Sequence, residues 1–173
     1  AATIASKVYD GSSTSGTITP GSLTGLVGTQ TLTISASGVY ANANVGTSKT
    51  ATITYTLGNG TNGGLGANYS LASGSGTGNI TAAILTVTAS AQSKTYGSTA
   101  PTSGTLNTNF TITGLQGSDV VSGATLSYSG TPAGNLAAAS VGSYTITPSA
   151  LILSSGSTSN YSITYTTGTL TVN

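Results

Sequence analysis

Apolar and polar residues alternate one by one along most of this chain. In TATITYTLG, Ala51, Ile53, Tyr55 and Leu57 fall on one face, and Thr52, Thr54 and Thr56 on the other. YSITYTTGTLTVN sets Tyr161, Ile163 and Tyr165 against Ser162, Thr164 and Thr166, and QTLTISAS, NYSLAS, AAILTVTAS and SYTITPS follow the same rule. A period of two is the signature of a half-buried strand, because successive side chains point to opposite faces. Threonine on the outer face is both β-branched and polar, so it suits a pleated surface without carrying charge. Gly- and Asn-rich runs read as turns between the strands: LGNGTNGGLG, SGSGTGN, LQGSD and SSGSTSN. No stretch carries a helical stripe, and GNLAAASVG offers a single turn at most.

The alternation occurs twice, in the same order. SKVYDGSST (from Ser6) matches SKTYGST (from Ser93), and LTGLVGTQTLTISASG matches ITGLQGSDVVSGATLSYSG. NVGTSKTATITYTL then matches SVGSYTITPSALIL, and ANYSLASGSGTGNITA matches SNYSITYTTGTLTVN. The unit is a module of about 87 residues, repeated once with drift. Modules of that size bury roughly 60–65% of the surface of their unfolded chains, enough for a modest core. The expected fold is all-β: two tandem modules of Ig-like or β-sandwich type, residues 1–83 and 84–173, arranged end to end, with β-grasp-like topology as the alternative. Tyr9, Tyr55, Tyr69, Tyr96, Tyr144 and Tyr161 recur at inward positions and are expected to be mostly buried, each hydroxyl near the surface or hydrogen-bonded.

Composition narrows the function. The 173 residues include 25 Gly and 62 Ser or Thr, with no Cys, Met, Trp, His, Arg or Glu. The only formal charges are Lys7, Lys49, Lys94, Asp10 and Asp119, for a net charge of +1. Low charge can mean disorder, but nine Tyr and many Val, Ile and Thr point to a folded chain. Neither nucleic acid nor a cation-rich partner finds a complementary face on such a surface. No stretch approaches the roughly 20 apolar residues of a membrane span, and no signal peptide is visible, so a soluble mature fragment is expected. Without Cys there are no disulfides from which to read a redox compartment. General acid–base chemistry at neutral pH lacks its usual agents, and no enzyme or cofactor is expected.

The candidate residues are therefore structural ones. Lys7, Tyr9, Asp10 and Gly11 in one module, and Lys94, Tyr96 and Gly97 in the other, mark a turn. Asp10 is placed to accept from the backbone two residues on, and Gly11 to take a positive φ. Tyr69 and Tyr161 occupy matching NYS positions. Asp10 and Asp119 are the only calcium candidates, and each would need many backbone or amide oxygens beside it. Ser6–Lys7, Ser48–Lys49 and Ser93–Lys94 are adjacent pairs, but neighbours on a strand point apart, so a solvated lysine at a strand end is expected rather than a nucleophilic dyad. An amide crosslink from Lys7 or Lys94 to an Asn is a further reading. GNGTNGG, from Gly58, fits the G-x-G-x-x-G spacing of dinucleotide sites, but another strand is expected after it and no acidic residue follows until Asp119, so a hairpin loop is expected. N-x-[ST] sequons fall at Asn59, Asn68, Asn79, Asn109 and Asn160.

These motifs carry a resemblance. With KVYDG, GL, NVGT and NYSL, the first half resembles the YDG repeat domain of large bacterial surface adhesins. With LTVTASAQSKTYG, VGSYTIT and NYSITYTTGTLTV, the second is similar to the mostly-β, Gly-rich MBG domain found beside it. The acidic residue after GL, Asp119 in GLQGSD, has no counterpart in GLVGTQ by this reading. The resemblance implies an extracellular, cell-surface structural repeat of an adhesin, stalk or self-assembling fibre, without catalysis; the alternative is a module that binds glycans or another surface. Its expected partners are copies of itself, head to tail. AILTVTASAQS precedes Lys94 but only AATIAS precedes Lys7, while the chain ends on TLTVN. Joining end to start gives TLTVNAATIASK, so a longer array is expected, covalent or with one copy completing the next.

Overall fold

The computed structural model describes residues 1–173 and divides them into two compact units, Ala1–Thr81 and Ala82–Asn173. Both are all-β. Unit 1 is built from β1 (Thr3–Ile4), β2 (Lys7–Val8), β3 (Ile18–Thr19), β4 (Leu32–Tyr40), β5 (Gly46–Asn59) and β6 (Gly74–Thr81). Its main sheet has the order β2-β6-β5-β4, antiparallel except where β2 runs parallel to β6; β1 and β3 form a separate antiparallel pair.

Unit 2 repeats this plan with more of it filled in. Its strands are β7 (Ala83–Ala89), β8 (Gln92–Lys94), β9 (Ser103–Gly104), β10 (Phe110–Thr113), β11 (Val120–Tyr128), β12 (Gly142–Ser155), β13 (Tyr161–Thr166) and β14 (Gly168–Val172). The main sheet β8-β14-β12-β11-β9 reproduces β2-β6-β5-β4 in order and direction, including the parallel pair at the β8 edge, and adds β9 at the other side. A second sheet has β7 at its centre, antiparallel to β10 and parallel to β13. Parallel neighbours need a long connection between them, which local sequence pattern does not reveal.

The long strands follow the alternation of the sequence. In β5, Ala51 and Ile53 are buried, Tyr55 and Leu57 partly so, and the intervening threonines are exposed. Pro148 lies within the 14-residue β12 but beyond Gly142–Ile146, the stretch that β14 covers. There the strand has a free side, which is where a residue without an N–H fits.

One run read as a turn is a strand. SGSGTGN forms most of β6, whose Gly74, Gly76 and Gly78 alternate toward the interior. A Cβ on Gly76 would meet Ile53 and Ile4, and one on Gly78 would meet the Tyr40 hydroxyl and Ile4. Glycine is used here because neighbouring side chains occupy the space that its own would need. The reverse also occurs. NYSLAS is not a strand: a 3-10 turn at Gly66–Asn68 leads into Tyr69–Ser73, which have no sheet partner. GNLAAASVG has no helix: it runs through turns and bends to Val141, and its Gly142 opens β12.

The cores differ in extent. Unit 1 buries Tyr9, Tyr40, Ala51, Ile53 and Ile80. Unit 2 buries Leu85, Val87 and Phe110 completely, and Ala89, Leu126, Ile146, Leu170 and Val172 form a cluster against which Tyr128 and Tyr144 pack.

Candidate functional site

Lysine organises one loop in each unit. Lys7 stands on β2, with its Nζ turned back into the following loop. It donates to Asp10 Oδ1 at 2.7 Å, to the Ser12 carbonyl at 3.0 Å and to the Thr14 carbonyl at 2.9 Å. Asp10 Oδ1 also accepts from the Ser12 N–H at 2.8 Å, and Gly11 takes φ 77° between them. Backbone bonds from Tyr9 N–H to Thr81 and from Tyr40 N–H to Ser13 fasten the loop to the sheet. Partial burial opposes ionisation of Asp10, but the Lys7 hydrogen bond and charge and the Ser12 amide outweigh it. Its carboxyl is held below the ordinary aspartate value.

Lys94 is the counterpart, and it departs from the expected solvated lysine: it is only 8% exposed. Its Nζ donates to the carbonyls of Ser98 at 3.0 Å and Leu136 at 2.8 Å. Those bonds tie the turn at Thr95–Ser98 to the loop at Asn135–Ala137, beside Gly97 N–H to Ala137 and Ala100 N–H to Asn135. The stem of a lysine is apolar and its head is a triple donor, so it can sit inside and hold carbonyls that would otherwise be unsatisfied. YGS is one residue shorter than YDGS, and the chain turns sooner, with Ser98 N–H bonded to Thr95 and Gly97 at φ 86°. The shorter turn puts Tyr96 at its corner, 60% exposed. Tyr96 is thus a surface residue, contrary to the expected burial, whereas Tyr9 is buried.

A second pair of matching clusters forms around the NYS tyrosines. In unit 2, Tyr161 Oη donates to Asp119 Oδ2 at 2.6 Å and accepts from the Gln116 N–H at 3.0 Å. In unit 1, Tyr69 Oη donates to Gln30 Oε1 at 2.5 Å and accepts from the Val27 N–H at 3.1 Å. The turns these tyrosines hold are alike: Gly25 and Gly28 have φ 82° and 58°, Gly114 and Gly117 φ 96° and 57°. Gln30 N–H bonds to Val27 O as Asp119 N–H bonds to Gln116 O. GLVGTQ therefore does have a counterpart of Asp119. It is Gln30, whose amide oxygen accepts the same hydroxyl without a charge. Tyr161 is buried, Tyr69 half-buried, and Tyr55 and Tyr144 are likewise half-buried.

The remaining candidates also serve local structure. Asp10 and Asp119 lie in different units, and no three His, Cys, Asp or Glu side chains come together as a metal-binding group. Lys7 and Lys94 meet carbonyls and, for Lys7, a carboxylate; the lysine that meets an asparagine side chain is Lys49, which donates to Asn42 Oδ1 at 2.8 Å. GNGTNGG closes on itself and on Thr31, through Gly60 N–H to Gly64 and Thr31 N–H to Thr61, and a three-residue 3-10 turn follows, not the expected strand. Asn59, Asn79 and Asn109 accept from the backbone N–H groups of Gly66, Ser48 and Thr105, and Asn160 is buried. Sequence reading passed over Tyr40, which is fully buried against Gly78. Its hydroxyl has no hydrogen-bond partner, and burial pushes its pKa up. Gly76 and Gly78 were the available signal, since glycine at every second position of a strand marks close approach.

Comparison with known families fits this duplicated but diverged pattern. The YDG domain matches residues 1–76, and the MBG domain (YGX type) matches residues 85–171. The chain belongs to the MBG family, with a YDG domain ahead of the MBG domain. The YGX label of the second domain corresponds to Tyr96–Gly97, the shortened turn around Lys94. YDG and MBG domains are associated with surface adhesin-type proteins, and this points to a surface or extracellular location. No helix of the chain is long and apolar enough to cross a membrane. No curated protein matches the chain, and no solved structure does.

Proposed function

We propose that this YDG–MBG chain is a non-catalytic structural repeat of an extracellular adhesin, stalk or fibre, and that its partners are further copies of the same repeat, head to tail. One observation carries the reading: the polar side chains that could do chemistry are engaged in holding loops. Lys7 and Lys94 bind loop carbonyls, Asp10 serves Lys7, and Asp119 and Gln30 serve Tyr161 and Tyr69. Tyrosine supports it too, because Tyr9, Tyr40 and Tyr161 are buried and do not form an aromatic surface. A spacer needs this economy, with groups spent on rigidity and a surface of threonine and serine that stays hydrated without attracting charged partners.

The competing reading, a glycan-binding module, rests on exposed Tyr96 and partly exposed Tyr165. Beads carrying the 173-residue chain, presented to a panel of surface glycans, separate the two. The spacer reading predicts retention equal to that of blank beads. Saturable retention that is lost in Tyr96→Ala or Tyr165→Ala would establish the binding module instead.

A further inference from the structure

The strands β4 and β11 hold the same place in the two main sheets, but only β11 is guarded on its outer side. There β9 pairs with it at Ala124 and Thr125, and Leu126 N–H reaches the Thr102 carbonyl. Its pairing with β12 is also broken by irregularities between Val120 and Thr125. A short covering strand and bulges are two of the devices by which proteins blunt a sheet edge. In unit 1, β4 ends the sheet and pairs with β5 in unbroken register from Leu32↔Asn59 to Tyr40↔Ala51. Its outer side is covered at one end only. Gly38 O accepts from Ser15 N–H and Tyr40 N–H donates to Ser13 O, both at 2.8 Å, around the bridge of Thr14 to Val39. Those bonds fix the parity: backbone groups of the even-numbered residues face the open side, and those of Thr33, Ser35 and Ser37 face β5. Leu32, Ile34 and Ala36 therefore present N–H and C=O to no neighbouring strand. Where the chain parts from the edge after Ser15, a cleft of about 540 Å³ lies between Thr14–Ile18 and Ala36–Val39.

We propose that β4 is a self-pairing edge, which joins two copies of the chain side by side through an antiparallel β4–β4 contact. The occupant is an extended strand, because what the edge offers is a row of backbone donors and acceptors. Self-complementarity makes it a second copy. A two-fold axis at Ile34 sets Ile34 against the partner's Ile34 and Leu32 against the partner's Ala36, each pair exchanging both backbone bonds. Thr33 then faces the partner's Ser35 on the outer surface. Such symmetry brings any charge near its own duplicate, and from Gly11 to Ser48 the chain carries none. The strand also lacks Pro and Lys, the residues that keep other edges apart. Leu32, Ile34 and Ala36 point inward in both copies, so the apolar faces meet on one side of a continuous sheet. A contact of one strand pair is small, hence weak between single chains, and it gains strength where many repeats lie alongside one another. It is a lateral contact and stands independently of the head-to-tail reading.

The test follows amide exchange and sedimentation of the full chain at about 10 μM and about 1 mM. At the higher concentration the amides of Leu32, Ile34 and Ala36 should exchange at least about fivefold more slowly, while those of Thr33 and Ser35 stay unchanged. The sedimenting mass should move toward that of two chains. Two double variants on the exposed outer face check the register. Thr33→Lys with Ser35→Lys sets like charges opposite each other and should abolish association; Thr33→Lys with Ser35→Asp sets opposite charges there and should restore it. Unchanged exchange at Leu32, Ile34 and Ala36 would overturn the proposal, as would a double-lysine variant that associates like the parent. Association that leaves those three amides fast would also overturn it and point to a head-to-tail contact. Glycan retention on beads would sink the spacer reading and leave this result untouched.

Discussion

Tyr161 and Tyr69 each satisfy one loop amide and one side-chain acceptor; the partners of Tyr161 are part-buried, so removing its hydroxyl leaves them poorly placed to rehydrate, whereas Val27 beside Tyr69 is open to water. Tyr161→Phe is expected to cost about 1–3 kcal/mol, and Tyr161→Ala about 3–5 kcal/mol because the ring itself is buried. Thermal or urea unfolding checks both, and an unchanged Tyr161→Phe would show that the cluster contributes nothing. Asp119→Gln should be tolerated far better than Asp119→Ala, since Gln30 already does this job in unit 1. The lysines separate in the same way. Lys94→Met strands the carbonyls of Ser98 and Leu136 and should cost about 1–3 kcal/mol, whereas Lys49→Met, on an exposed side chain pair, should stay within about 0.5 kcal/mol. Unfolding midpoints of the two variants, measured side by side, test whether the buried lysine is a fastening.

At the scale of elements, the glycines of β6 define what its neighbours may be. Gly78→Ala drives a methyl against the Tyr40 hydroxyl and Ile4 and should destabilise unit 1 by about 1–3 kcal/mol; pairing it with Tyr40→Phe should recover part of the loss. No recovery in that double variant would mean the clash lies elsewhere. The same strand explains what sequence could and could not disclose. Alternation in β5 and β12, with β-branched residues facing out, was legible because burial on one face writes itself into every second residue. Gly74–Thr81 was not, since glycine signals a turn and a crowded strand alike, and only Tyr40 and Ile4, distant in sequence, decide between them. Tyr69–Ser73 shows the opposite failure. Its pattern is that of a strand, but a strand exists only with a partner, and Tyr69–Ser73 have none. Of the candidate sites, the Lys–Asp–Gly turn was legible from local turn chemistry. The burial of Lys94 and the exchange of Asp119 for Gln30 were not, because both depend on loops some 40 residues away in sequence.

For the molecule as a whole, scarcity of charge sets the response to conditions. The folded-state pKa of Asp10 is depressed, so the stability it contributes is present above the unfolded value and is lost as pH falls through the folded one. With no histidine in the chain, melting temperature should be nearly flat from about pH 5 to 9 and drop only below about pH 4. Asp10→Asn should remove much of that acid step, and a step near pH 6 in the parent chain would contradict the assignment. The proposed spacer role requires each of the two units to unfold as a module of its own, and the first buries fewer apolar residues than the second. Its most direct test is single-molecule extension of the chain pulled from its two ends. Two discrete unfolding events are expected, releasing up to about 280 Å and about 320 Å of chain at about 3.5 Å per residue for Ala1–Thr81 and Ala82–Asn173. The shorter should come first and at lower force. A single event releasing the whole chain, or featureless extension without a force peak, would show that the units are not separate modules.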